Sequence, residues 1–577
     1  MTAPITERRK ARPRMTGIGR AAVMIGVITV LARVVGFGRQ LVFAHSVGTT
    51  CLGTAYTTAN MVPNIIYDVV LGGALTSVVV PVLAGPVRAA ARGGSGSAEA
   101  EGQARQTTSA LLTWTVILLV PVSVALAAVA HPLVTMLLAN AGGCSRGAMA
   151  AVGTRMLIVF APQVLLYGLA VVLYGILQAH RRFGGPAVAP LVSSVVVVGA
   201  YGAFGVLGGI YVNRPGALPP LPEFVLSGGT TLGVLAMVAA AAVPAWRLRL
   251  RVRPTLRFPP GVAPRVRRLA VAGVLTLLAQ DASAGVVIVL ANRYGVPGTL
   301  VIYGFAWAMF VVPYAVLAVP IATSAFPELS ARSGAGQREG AAGSGAADGA
   351  ASGVAGPAAP REPGGFEETS SASTRAVLLA SWLGTAILVG ARVPLARMFE
   401  SGSVPAATAL AISLGTFAPG MIGYGLSANL SRVLYAHGRN RAPAFAVSLG
   451  WVLVMAADVA IVPFVPKPDV VPALGVGTSA GLTVAGAVLL VMVARVRGTL
   501  ALTGVARAFL AGLVGCAASV AVGTTLSAAV PGSGFVTDTG LSVAVSVVIA
   551  GVFGVLVLYL DGGDTRAVLS RFRRSRA

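Results

Sequence analysis

The sequence predicts an all-α polytopic membrane protein with about fourteen transmembrane helices, arranged as two six-helix lobes plus two C-terminal helices. Three observations carry that expectation. Hydrophobic residues make up 56% of the 577 and charged residues 11%, with a mean hydropathy of +0.83. A soluble domain carries about 25% charged residues, so the composition argues against an ordinary soluble enzyme. The apolar residues fall in runs long enough to cross a bilayer core of about 30 Å. The basic residues alternate from loop to loop, as membrane insertion imposes.

Bounded by charges, Pro and Gly, the runs are 18-44, 57-86, 108-139, 148-178, 187-212, 224-246, 268-291, 299-328, 375-398, 405-436, 442-464, 471-494, 503-530 and 537-560. The first follows Arg8, Arg9, Lys10, Arg12 and Arg14, which resembles a signal-peptide n-region. It is too long for a cleaved signal and contains arginines, so an uncleaved first helix is expected. With the N-terminus inside and boundary arginines counted with their loops, 32 of the 43 Lys and Arg fall in cytoplasmic segments, six in outer loops and five within spans. Two cytoplasmic termini, and the inner (cytoplasmic) membrane as location, follow as expectations. The net charge of +25 is then a topology signal and an attraction to anionic phospholipids. Nucleic acid is not an expected partner, because 6% aromatic residues are too few for base-stacking platforms.

The domain layout expected is a basic tail (1-17), a six-helix lobe (18-246), a basic loop (247-267), a second six-helix lobe (268-494), two further helices (495-560) and a basic tail (561-577). Eight arginines between Arg247 and Arg268 are expected to rest on lipid headgroups. The stretch 331-373 is rich in Gly, Ala and Ser and reads as a flexible linker, as does 93-104.

Signatures of soluble catalysis are missing. No Lys precedes Ser or Thr in a phosphate loop, no G-x-S-x-G occurs, and His45, His131, His180 and His437 are scattered without H-E-x-x-H. The reading is a non-enzyme with no cofactor and no metal. Cys51 and Cys144 fall in outer loops, where a disulfide persists, but sequence does not supply the Cα geometry a bond needs. Whether they are bonded or remain two thiols stays open. Cys516 reads as a small packing residue.

The candidate site residues are polar groups inside apolar runs. Arg33 and Arg39 lie in the first run, and each arginine at a helix centre costs about 2.5–3.5 kcal/mol, so a wet cavity or an anion is expected beside them. Six residues separate them by about 120° around a helix, and Gly36 and Gly38 allow a bend bringing both toward one cavity. Asn60, Asn64 and Asp68 recur at spacing four on one face of the second run, with Pro63 freeing a carbonyl and Gly72, Gly73 and Ser77 leaving room for close packing. Asp68 is placed to pair with an arginine of the first helix. Gln280 and Asp281 in the seventh run and Asp458 in the eleventh complete the set, while Glu328 reads as interfacial. Paired arginines in a water-lined cavity suit a phosphate or diphosphate through bidentate bonds.

The motifs LARVVGFGRQ and NMVPNIIYDVVLGGALTSVVVPVL, within 29-83, resemble the MviN/MurJ family, the lipid II flippases of peptidoglycan synthesis. VVPYAVLAVPIATSAFPELS at 312-331 resembles that family's eighth helix, and 398-443 its ninth-to-tenth region. The resemblance implies the multidrug/oligosaccharidyl-lipid/polysaccharide exporter fold, a cationic central cavity, and a groove near the last two helices for the polyprenyl tail. It also implies transport of undecaprenyl-linked peptidoglycan precursor by alternating access, with Arg33 and Arg39 gripping the headgroup and cell-wall-synthesis proteins as further partners. The chain departs from the family pattern at Gln40, at Thr54, at Tyr67 and Asp68, at Gly72 and at Ala308, changes similar to those of actinobacterial members. Alternative readings are an exporter of another polyprenyl-linked oligosaccharide and a non-transporting scaffold for wall synthesis.

Overall fold

The computed structural model describes residues 16–69, 76–92, 96–138, 143–248, 253–344, 365–400, 404–439, 441–530 and 534–562. Every element among them is helical. The first half comprises α1 (Thr16–Ser46), α2 (Cys51–Asp68), α3 (Thr76–Arg92), α4 (Ser97–Ala128), α5 (Ala130–Leu137), α6 (Arg146–Phe160), α7 (Gln163–Ala179), α8 (Gly184–Gly208) and α9 (Pro220–Trp246). The second comprises α10 (Val262–Tyr294), α11 (Thr299–Pro313), α12 (Val319–Ser344), α13 (Phe366–Gly390), α14 (Arg392–Arg397), α15 (Val404–Phe417), α16 (Gly420–Ala436), α17 (Arg441–Ile461) and α18 (Val470–Arg497). Two more follow, α19 (Val505–Ala529) and α20 (Phe535–Leu560).

Each of the fourteen apolar runs coincides with one helix or a consecutive pair. Ten helical segments among the described residues are long and apolar enough to cross a membrane, and eleven if a pair bent by 46° counts as one. That pair is α15 and α16, and Pro419 stands at its break. Proline ends an i→i−4 ladder, and the same cause separates α6 from α7 at Pro162. After Pro313, one π-helical stretch, Tyr314–Ala318, leads into α12. Large apolar side chains face outward along these helices, among them Val206, 87% exposed. Such a surface is stable against lipid and not against water. Trp246 and Tyr559, exposed at helix ends, sit where aromatic side chains anchor at a membrane interface.

Packing is heaviest within each half: α8 lies on α9 and α1, and α18 on α16 and α17. Arg155 of α6 and Glu223 of α9 lock two spans with a bidentate pair, Nε to Oε1 at 2.8 Å and Nη2 to Oε2 at 2.7 Å. The halves meet through α2, α3, α10 and α11. At one end of that seam Asn292 Nδ2 donates to Thr58 Oγ1 (2.9 Å), and Gly298 N–H to Thr54 Oγ1 (2.7 Å). α19 packs on α13, with Trp382 edge-on to Phe509 at 5.3 Å.

Cys51 and Cys144, left open by sequence, are joined in a disulfide with Cα atoms 5.9 Å apart. The bond ties the start of α2 to the segment leading into α6, a juxtaposition created by the packing of α2 on α6. Cys516 is a buried free thiol.

Both expected linkers are narrower than composition suggests. α4 begins at Ser97, so most of 93-104 is helix: its AEAEGQAR is rich in strong helix formers, and Glu101 stands 3.9 Å from Arg105 one turn on. α12 continues to Ser344 and α13 begins at Phe366, with Arg332 Nη1 donating to Gly365 O (3.0 Å) and Thr369 Oγ1 (2.7 Å) between them. Residues 345–364 lie outside the described residues, as do Gly72, Gly73 and most of both basic tails. The loop after α9 is docked on protein: the hydroxyls of Ser109 and Thr113 accept from the N–H groups of Arg253 and Thr255, and Trp114 Nε1 donates to Leu256 O. Glu328 is exposed and paired with Arg332 at 2.6 Å.

Where α13, α16 and α18 converge, Arg497 lies 3.6 Å from Glu367, over the Phe366 ring, and 3.0 Å from His437 Nδ1. Burial first, then the charges of Arg497 and Arg439, hold the His437 imidazole pKa below its ordinary value.

Candidate functional site

A cavity of about 400 Å³ opens between the two halves, walled by α1, α2, α7, α8 and α9 on one side and α11 on the other. Ligand pockets run to about 300–1,000 Å³, so this one has room for a diphosphate together with an adjoining sugar. α1 delivers Arg39, Gln40 and Phe43 to it, three positions within one turn and a half. α2 delivers Tyr56, Asn60 and Asn64, whose spacing of four puts them on one helical face.

Many side chains of this wall are polar, and several are fixed by hydrogen bonds. Tyr56 and Tyr201 hydroxyls are 2.8 Å apart, and Tyr56 is also 2.8 Å from Thr230 Oγ1. Tyr167 donates to Asn64 Oδ1 at 3.0 Å, and Asn64 Nδ2 donates to the Asn60 carbonyl at 2.8 Å. The Asn60 side-chain oxygen is buried and has no partner among the described residues. Arg39 is the one charged side chain in the described lining, and among the described residues its guanidinium makes no ion pair or hydrogen bond. A cation beside hydroxyls and amides, with no acid in the described lining to neutralise it, is chemically suited to an anion.

The sequence candidates divide. Arg39, Asn60 and Asn64 come together at the cavity. Arg33 is exposed on the same helix and does not line it; α1 runs unbroken through Gly36 and Gly38. Asp68, at the end of α2, is exposed and forms no ion pair with either arginine among the described residues. It lies within electrostatic reach of Asp281 on α10. Asp281 is buried and Gln280 half-buried beside it, neither in the cavity lining. Asp458 of α17 is fully buried, with Gly477 of α18 leaving the space its carboxylate fills. Among the described residues no three His, Cys, Asp or Glu converge as metal ligands.

The aromatic side of the cavity was not legible beforehand. Tyr56 continues the Asn60–Asn64 spacing one turn back and so had a local signal. Tyr167, Tyr201, Tyr303 and Trp307 come from three other helices and had none.

The sequence model of the family described as "Lipid II flippase MurJ" matches residues 43–547. The chain belongs to that family. As a MurJ-family protein it is a lipid II flippase, a multi-pass membrane transporter whose substrate is lipid II. Solved structures share the fold. A lipid II flippase MurJ in an inward closed conformation is 14% identical with a TM-score of 0.64, over 92% of this chain and 98% of that one. An inward-facing multidrug resistance MATE transporter of the MOP superfamily is 15% identical with a TM-score of 0.58, over 84% and 94%. A Vibrio cholerae MATE transporter is 13% identical with a TM-score of 0.55, over 84% and 99%. The MurJ fold places the cavity between two helical halves, the arrangement that alternating access requires.

Proposed function

We propose that the cavity receives the lipid II headgroup with its diphosphate on Arg39, and that the two halves rock about it as six-helix lobes. The tail remains in the bilayer, in a groove beside α19 and α20, while the headgroup crosses. The observation that carries this reading is Arg39 itself, a guanidinium without an ion pair or hydrogen bond among the described residues, in a polar cavity at the seam of the halves. Guanidinium and diphosphate form charge-assisted bidentate bonds, and Asn60 and Asn64 supply neutral polar contacts beside them. The protein sits in the cytoplasmic membrane with both termini inside, a placement supported by the loop charges and by a disulfide between two loops on the outer side of that count. The inside-negative potential then favours export of the anionic headgroup by about 2.3 kcal/mol per charge per 100 mV. The basic loop after α9 presents its arginines to anionic phospholipids.

The test is rescue of a strain depleted of its own lipid II flippase, with outer-leaflet lipid II and membrane levels of each variant measured. Arg39→Ala is expected to lower transport by at least about tenfold, the worth of one charge-assisted contact. Arg33→Ala is expected to lower it by less. Full rescue by Arg39→Ala at normal levels removes the diphosphate assignment.

A further inference from the structure

Arg39 accounts for an anion, yet the rest of the described lining is uncharged and seven of its twenty residues are aromatic. Trp307 and Tyr303 of α11 form the face opposite α1 and α2. Trp307 is half-buried and immobilised from behind: it stacks on Phe310 at 5.3 Å with 25° between the planes, and lies 6.3 Å from Tyr424 and 6.2 Å from Trp451. Tyr303 is braced by Phe417 at 5.7 Å. These rings are preorganised, so a ligand that uses them loses little freedom in ordering them. Across the cavity the Asn60 oxygen is a buried acceptor lacking a donor among the described residues. Leaving such a group unsatisfied is costly, and a ligand O–H or N–H recovers that cost.

A rigid indole in a cavity that also carries amide and hydroxyl groups, with one amide oxygen lacking a donor among the described residues, is the chemistry that fits a pyranose. One face of the sugar ring is a patch of C–H bonds that packs on an aromatic surface, and its edge carries hydroxyl and N-acetyl groups that hydrogen-bond in the ring plane. We propose that Trp307, with Tyr303 and Asn60, is a sugar subsite that takes the N-acetylated sugar next to the diphosphate. It rests on the reading that the cavity holds the headgroup. In it Trp307 packs on the ring, the Asn60 oxygen accepts from a hydroxyl or amide, and Arg39 holds the diphosphate. The site thereby distinguishes a glycosylated lipid from the bare carrier.

The experiment compares equilibrium binding of lipid II and of sugar-free undecaprenyl diphosphate to the full-length protein in lipid nanodiscs. Wild type is expected to prefer lipid II by about tenfold or more. Trp307→Ala is expected to abolish that preference while leaving the affinity for undecaprenyl diphosphate within about twofold; Trp307→Phe, which keeps a ring, retains most of it. Asn60→Ala is expected to remove part of it, and it serves as the deciding variant where Trp307→Ala proves unfolded by its Tm. An unchanged preference in the folded variants, or an equal loss for both lipids, overturns the sugar subsite. Arg39→Ala tests the reading beneath it: it weakens both lipids alike. Unaltered binding there removes the diphosphate contact while leaving the sugar preference to be judged on Trp307 and Asn60.

Discussion

Arg33 and Arg39 stand six residues apart on one uninterrupted helix, so their side chains leave its axis about 120° apart. Without a break at Gly36 or Gly38, one cavity takes one of them, and it is Arg39 that lines it. The pair Arg155–Glu223 illustrates a different use of intramembrane charge. The Glu223 side chain is 10% exposed and that of Arg155 54%. Removing the arginine leaves a buried carboxylate without its partner, whereas removing the acid leaves a guanidinium that is half exposed at the protein surface. Arg155→Ala is therefore expected to lower the Tm in detergent by several degrees, on the order of 2–4 °C per kcal/mol for a large domain, and Glu223→Gln by less. Equal shifts would mean that the two charges are equally costly to leave without the bond.

Among the elements, α2 carries the most information. Thr50 caps it, its side-chain oxygen accepting from Gly53 N–H at 3.1 Å. Cys51 anchors its first turn to Cys144, and its polar face supplies Tyr56, Asn60 and Asn64 to the cavity. The disulfide spans 93 residues of sequence, and cross-linking so long a loop restricts the unfolded chain strongly. In intact cells stripped of any outer membrane, an impermeant maleimide is expected to label Cys51 and Cys144 only after an impermeant reductant, and reduction is expected to lower the Tm. Labelling without reductant would show the thiols free. Labelling that needs a permeant reagent would place this end of the protein in the cytoplasm.

At the scale of the whole molecule, the contacts between α2 and the α10–α11 turn hold the halves together at the disulfide end. Gly298 opens α11 with φ +88°, and a Cβ added there would stand 2.6 Å from the Thr49 carbonyl oxygen. Backbone conformation and close approach both demand glycine. Gly298→Ala is expected to part this seam and bias the transporter toward opening at that end. Spin labels at Arg214 and Val296, on opposite halves, would report a longer or broader distance distribution; an unchanged one would mean that the seam does not govern closure.

The helical class and the positions of the apolar runs were readable because hydropathy over a span is a local property of consecutive residues. Spacing alone also found Asn60 and Asn64, since residues four apart share a helix face. Composition is a poor guide where Gly and Ala lie among strong helix formers, as at 97-104, which is helix. Which arginine reaches the cavity, the bonding of Cys51 to Cys144, the inter-half seam at Gly298, and the meeting of Tyr167, Tyr201 and Trp307 with α2 depended on how helices distant in sequence pack. The sequence by itself determined a basic, arginine-bearing membrane bundle and its family. The tertiary structure decided the site, because a cavity exists only where side chains from six helices leave space unfilled, and no single helix encodes that space.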